Sequence, residues 1–188
     1  MCDDQLWIFG YGSLMWQPDF AHVEREIATL SGYRRGFLMR SVHHRGTPER
    51  PGLVLALDRA EGVSCTGLAL RVEPGSEDET MVALRARELV SYAYREERLP
   101  VTLVDGRRIS AVTYVIDRAH PQYTGPLPLE EQARIIASAS GGRGPNREYL
   151  FNTQAQLTRL GIHDAEIDWL AQAVRRQNAS ATEACAKG

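Results

Sequence analysis

Two short stretches hold the residues best able to do chemistry. In the first, Phe9-Gly10-Tyr11-Gly12-Ser13-Leu14-Met15, a glycine loop follows the apolar run Leu6-Trp7-Ile8-Phe9, which reads as a buried strand. Two glycines around one residue let the backbone turn sharply and aim successive N–H groups at one point. Such a nest takes a carboxylate or another anion without any charged side chain. Gly10, Tyr11, Gly12, Ser13, Leu14 and Met15 are therefore candidate anion-binding residues, although spacing alone also allows a plain structural turn. Known phosphate and nucleophile motifs do not apply. Met15 stands where a dinucleotide fingerprint needs its third glycine, and no Gly-Lys-Ser/Thr follows for a P-loop. Ser13 is not in a nucleophile elbow, because Tyr11 and Met15 occupy its glycine positions.

The second stretch is Arg85-Ala86-Arg87-Glu88-Leu89-Val90-Ser91-Tyr92. Ser76, with Glu79 three residues later, has capping-box spacing, and the helix it opens is expected to run to about Tyr94. At ~100° per residue, Met81 and Glu88 lie within about 20° of one azimuth, with Leu84 and Tyr92 flanking that stripe. If Met81 and Leu84 face the core, Glu88 turns inward with them. A carboxylate there is costly unless it is paired or used, and desolvation would move its pKa toward the range suited to shuttling protons. The pattern equally admits a surface glutamate paired with Arg85 or Arg95.

Other polar clusters read as structural. His43 and His44 are adjacent, so a regular strand would point them to opposite faces, and His22, His120 and His163 add no ligand spacing. No metal site is expected, and Arg45 reads as structural or substrate-facing. Gly141-Gly142-Arg143-Gly144-Pro145-Asn146-Arg147 could cradle an anion at a helix start, but it lacks a P-loop lysine and reads as a helix–helix loop. Arg34-Arg35 and Arg175-Arg176 read as solvated charge.

The elements that must position these residues form a simple series. Leu53–Leu57 and Thr66–Val72 read as strands separated by the turn-prone Asp58–Gly62. Val101–Val104 and Ile109–Ile116 flank Asp105-Gly106, a tight hairpin turn. Helices are expected over Leu129–Ser138, from an Asn146 cap to about Gly161, and from an Asp164 cap through Val174. Strands, one helix, a hairpin and then helices make an α+β chain. One domain is expected over residues 1–177, with a flexible tail over 178–188.

Composition narrows the function classes. At 188 residues the chain suits one core that buries roughly 70% of the unfolded surface. A formal net charge of −2 gives no broad field for nucleic acid or anionic lipid, and no apolar run approaches the ~20 residues that span a bilayer. Cys2, Cys65 and Cys185 are scattered and odd in number, which suits reduced thiols. Met1-Cys2-Asp3-Asp4 is acidic and leads straight into a strand, unlike a signal peptide, so a cytoplasmic protein with a small-molecule substrate is expected. The oligomeric state stays open, a monomer among the options.

The sequence resembles the ChaC-like γ-glutamylcyclotransferases. The likeness is carried by Trp7-Ile8-Phe9-Gly10-Tyr11-Gly12-Ser13-Leu14-Met15-Trp16, then Gly32-Tyr33-Arg34-Arg35, His44-Arg45-Gly46, Arg87-Glu88 with Tyr92, Tyr123-Thr124-Gly125-Pro126 and Gly144-Pro145-Asn146-Arg147-Glu148-Tyr149-Leu150. These motifs keep their order across residues 7–176. The resemblance implies a small mixed β-barrel flanked by helices, and a carbon–nitrogen lyase that cleaves glutathione to 5-oxoproline and cysteinylglycine without metal or cofactor. It places the substrate loop on Gly10 to Met15, the catalytic glutamate on Glu88, and a tyrosine near the substrate on Tyr149. His43 replaces an acidic residue, and Leu89-Val90-Ser91 replaces a more glycine-rich stretch; both would shape the pocket rim. The competing readings are a cyclotransferase for other γ-glutamyl amines or amino acids, and a non-catalytic regulator of cation transport on the same fold. A serine hydrolase built on Ser13 lacks an orienting elbow and a His–acid pair.

Overall fold

In the computed structural model, which describes residues 5–186 and side chains through residue 179, β1 (Trp7–Gly10) is buried along its whole length. Its one side pairs antiparallel with β3 (Gly52–Val72), Trp7 opposite Arg71, and its other side pairs parallel with β5 (Arg108–Ile116), Trp7 opposite Ala111. With β2 (His22–Ser41) and β4 (Tyr94–Leu103) these strands close a mixed barrel in the order β1-β3-β2-β4-β5. Closure removes the open edges that a short sheet would otherwise expose.

Two compact units are distinguished within the chain. The first takes in the residues up to Arg35 together with Ala56–Tyr123, and the second Gly36–Leu55 together with the chain from Thr124 onward. The first holds the barrel core, where Leu6, just before β1, and Ile8, Val72, Val112 and Tyr114 of the strands meet Leu84 of α1 (Glu77–Glu88). The second holds α2 (Leu129–Ser138), the two-residue strands β6 (Ser140–Gly141) and β7 (Gly144–Pro145), α3 (Asn146–Arg159) and α4 (Ala165–Ala186). The three helices pack on one another through buried Ala133, Ile136, Leu150, Leu157, Leu170 and Val174.

Several expected elements change. Leu53–Leu57 and Thr66–Val72 belong to one strand, because Asp58 is not a turn residue: its buried carboxylate accepts from Arg118 Nε at 2.7 Å and the Tyr123 hydroxyl at 3.2 Å. Residues 22–41, to which the pattern gave no strand, form the long β2. Helix α1 stops at Glu88, short of Tyr94, since Tyr92 takes a left-handed φ of 56° and turns the chain into β4. The Ser76 side chain makes no capping bond; the Glu77 carboxylate instead accepts from Gly75 N–H at 2.7 Å. Asn146 does not cap α3 either, and its amide pairs with Leu53, accepting from N–H and donating to C=O at 2.7 Å each. Asp164 does cap α4, through Ile167 N–H at 3.2 Å. That helix runs on to Ala186, so residues 178–186 of the expected tail continue it, and 187–188 lie outside the described residues. The Asp105-Gly106 hairpin forms as read, with Gly106 at φ 91°.

Candidate active site

The glycine loop leaves β1 as a single 3-10 turn over Ser13–Met15. Its first internal bond runs from Met15 N–H to Gly12 O at 2.9 Å, followed by Trp16 and Gln17 N–H to Ser13 O. The N–H groups of Gly12, Ser13 and Leu14 therefore precede this ladder and take no part in it. The loop is tightly seated. A Cβ on Gly10 would lie 3.0 Å from Leu14 Cβ, and one on Gly67 would collide with Gly10 O, so both glycines permit close backbone approach. Leu14 is a core residue, packed with Leu84 and Tyr114. Tyr11 donates its hydroxyl to Tyr114 O at 2.8 Å.

Arg35 holds the loop from outside, donating Nη1 to Tyr11 O at 3.1 Å and to Thr66 O at 3.0 Å. The solvated reading of Arg34-Arg35 thus fails for Arg35, whose side chain is half-buried because two backbone carbonyls need its donors. Arg34 stays partly exposed, 3.8 Å from Asp58.

Glu88 closes α1. Met81 and Leu84 pack against the barrel core, and Glu88 follows on that face with its side chain 18% exposed. Neither partner offered by the surface reading takes it. Arg85 forms a two-pronged pair with Glu96 at 2.7 and 2.8 Å, and Arg95 lies 3.7 Å from Asp117. Arg87 reaches it instead, with Nε 3.2 Å from Glu88 Oε1. The same guanidinium donates Nη2 to Ser13 Oγ at 2.9 Å and Nη1 to Gln17 O at 2.8 Å and Asp19 Oδ2 at 2.9 Å. One side chain thus ties the end of α1 to the loop, which brings Glu88 and Ser13 together around it. Tyr92, expected on the same helical stripe, is 78% exposed because the helix ends before it.

Tyr114 adds a neutral donor to this neighbourhood. Burial, then the charges of Glu96 and Glu88, push its pKa up, so the phenol keeps its proton throughout the physiological range. Tyr114 was legible only as part of the strand read over Ile109–Ile116, and Arg87 only as the neighbour of Glu88 in the Arg87-Glu88 motif.

The remaining sequence candidates lie in the second unit. Tyr149, on α3, is buried, with Phe37 packed edge-on at 6.1 Å and the Arg45 guanidinium 5.8 Å from its ring centroid. Arg45 is buried, donates to Pro145 O at 3.2 Å and stands 4.0 Å from Glu148, a structural role. His43 is exposed. Residues 140–145 form a small hairpin rather than a bare loop, with Gly142 and Arg143 N–H donated to His43 O and His44 O at 2.9 Å. Among the described residues, no group of three or more His, Cys, Asp or Glu could hold a metal ion, and no helix is long and apolar enough to cross a membrane. Cys65 is buried; Cys2 and Cys185 fall outside the described side chains.

Comparison with known proteins gives the family and the fold. The glutathione-specific γ-glutamylcyclotransferase of Escherichia coli K12 is 36% identical over 171 residues, covering 91% of this chain and 73% of that one. γ-Glutamylcyclotransferase 2-1 of Arabidopsis thaliana is 38% identical over 182 residues, covering 92% and 83%. The crystal structure of a yeast γ-glutamyl cyclotransferase specific to glutathione superposes with a TM-score of 0.84 at 22% identity, covering 92% of this chain and 96% of that one, and so has the same fold. Residues 6–177 match the family described as ChaC-like protein, and the chain belongs to that family.

Proposed function

We propose that this protein cyclises the γ-glutamyl group of glutathione, releasing 5-oxoproline and cysteinylglycine. The observation that carries the reading is the shared guanidinium of Arg87, which holds Glu88 Oε1 and Ser13 Oγ in one cluster. The reading is supported by a Glu88 side chain that is only 18% exposed and shares Arg87 with the glycine loop. Relatives named for this reaction, from a bacterium to mouse at 36% and 38% identity, supply the substrate.

The chemistry needs few parts. The α-amine and γ-carbonyl sit in the same glutamyl residue, so attack closes a five-membered lactam, and intramolecular attack gains a large effective molarity in the right conformer. Glu88, as carboxylate, takes a proton from the α-ammonium. The amine nitrogen then bonds to the γ-carbon, and the negative charge moves to the carbonyl oxygen. As that charge returns, the bond from the γ-carbon to the cysteinyl nitrogen breaks, and Glu88 delivers its proton to the leaving nitrogen. The ring nitrogen still carries a second proton, which the regenerated Glu88 carboxylate removes and the released cysteinyl amine takes up as its ammonium. Protons balance and no water is consumed. In this reading the N–H groups of Gly12, Ser13 and Leu14 hold the substrate carboxylate or the developing oxyanion.

The test is product formation from glutathione by the wild type and by Glu88→Gln. The expected result is a loss of at least about 10³-fold in kcat with an unchanged unfolding midpoint, within the range for a lost acid–base group plus its charge. Activity surviving in Glu88→Gln would place the base elsewhere. Turnover of γ-glutamyl-alanine but not glutathione would move the substrate to other γ-glutamyl amines.

A further inference from the structure

The geometry points to Arg87 as a positioning residue that sets the Glu88 carboxylate against the Gly10–Met15 loop through its planar guanidinium. This inference rests on the reaction proposed above and assigns the device that aligns its proton carrier.

Three features support it. First, three donors of the fork are committed to the loop side, Nη2 on Ser13 Oγ and Nη1 on Gln17 O and Asp19 Oδ2, while Nε forms an ion pair with Glu88 Oε1 at 3.2 Å. Guanidinium donors are fixed in one plane, so satisfying the loop acceptors also fixes where the Nε edge can meet a carboxylate. Second, the pair is withdrawn from solvent, with side-chain exposures of 12% for Arg87 and 18% for Glu88, unlike a screened surface pair. Third, Glu88 is the last residue of α1, where fraying sets in and the chain turns at Leu89 and Tyr92. A side chain at a helix end is oriented by its tertiary contacts more than by the helix, and Arg87, although on α1 itself, is anchored outside it on Ser13, Gln17 and Asp19. Arg85, one turn earlier on the same helix, shows the alternative: half-exposed and committed wholly to Glu96.

Lysine would not replace this residue. An ammonium keeps the charge near Glu88 but lacks the planar fork that spans four acceptors. Charge and geometry can therefore be separated by experiment.

The experiment compares wild type, Arg87→Gln, Arg87→Lys, Ser13→Ala and the double variant Ser13→Ala/Arg87→Gln. It measures kcat and KM for glutathione across pH, and follows the Glu88 side-chain carboxyl by carbon-13 NMR titration. Arg87→Gln should lower kcat about 10- to 100-fold with KM within about threefold, the signature of lost alignment rather than lost binding. Removing a cation this close should also move the Glu88 titration, and the acid limb of kcat, to higher pH. Arg87→Lys should restore the titration but not kcat. Adding Ser13→Ala to Arg87→Gln should cost less than the product of the two single losses, because both remove the same link.

An unmoved titration in Arg87→Gln, full kcat in Arg87→Lys, or multiplicative losses in the double variant would each overturn the inference. Should Arg87→Gln fail to fold, Arg87→Lys decides it: lowered kcat with an unmoved titration supports the fork, and wild-type kcat overturns it. If the wild type does not cleave glutathione, the proposed reaction falls. The positioning role is then still judged by the carboxyl titration of the Arg87 variants.

Discussion

Two glycine-rich segments look alike in sequence and behave differently in the fold. Gly10–Met15 and Gly141–Asn146 each follow a regular element, and each offers backbone N–H groups near the start of a helical turn. In the first, the ladder begins only at Met15, and the N–H groups of Gly12, Ser13 and Leu14 take no part in it. In the second, Gly142, Arg143 and Asn146 N–H are donated to His43 O, His44 O and Ala139 O. A Cβ at Gly141 would lie 2.5 Å from Gly46 N, so that glycine exists for backbone packing. A glycine loop is a cradle only where its donors are unspent, and spacing says nothing of that.

The comparison can be tested from either side. The largest effect is expected at Asn146→Ala, which strips Leu53 N–H and C=O of buried partners and should cost about 2–4 kcal/mol in denaturant unfolding. Its kcat per folded molecule should stay near wild type, and a large fall would mean the second segment handles substrate after all. Gly10→Ala comes next. The added Cβ, 3.0 Å from Leu14 Cβ, should displace the 3-10 turn and lower kcat/KM about tenfold with a smaller stability loss, read by steady-state kinetics beside thermal melting. Arg35→Gln removes the donor to Tyr11 O and Thr66 O and should raise KM about three- to tenfold. The smallest effect belongs to Ser13→Ala, a loss of about threefold if, as proposed, the loop binds through its backbone; abolished activity there would revive a serine nucleophile.

Legibility followed how local the determinant was. Asp105-Gly106, the 129–138 helix and the Asp164 cap were readable because each rests on a few adjacent residues. The inward face of Glu88 was readable as one of two options, since azimuth follows from helix geometry while the partner does not. What settled the partner was Arg87 meeting a loop some seventy positions away in the chain, which no local pattern encodes. For the same reason Asp58 was mistaken for a turn residue: its partners, Arg118 and Tyr123, come from a distant segment. Asn146 was misread as a cap because a side chain that mimics a peptide group serves a strand as well as a helix end. Arg35 looked solvated beside Arg34, but adjacent residues on a strand point to opposite faces, so a two-residue charge run need not share one environment.

Leu14 gives the loop a second character. It is one residue of the Gly10–Met15 segment and also one of the barrel's buried apolar side chains, beside Ile8, Leu84 and Val112. The usual division of variants into those that weaken the fold and those that impair the enzyme has no clean boundary here. A conservative change at Leu84 or Val112 that leaves the barrel standing alters the seat of Leu14, and with it the direction in which the loop's backbone faces. Natural variation in this core is therefore expected to surface as altered substrate handling before it surfaces as lost protein.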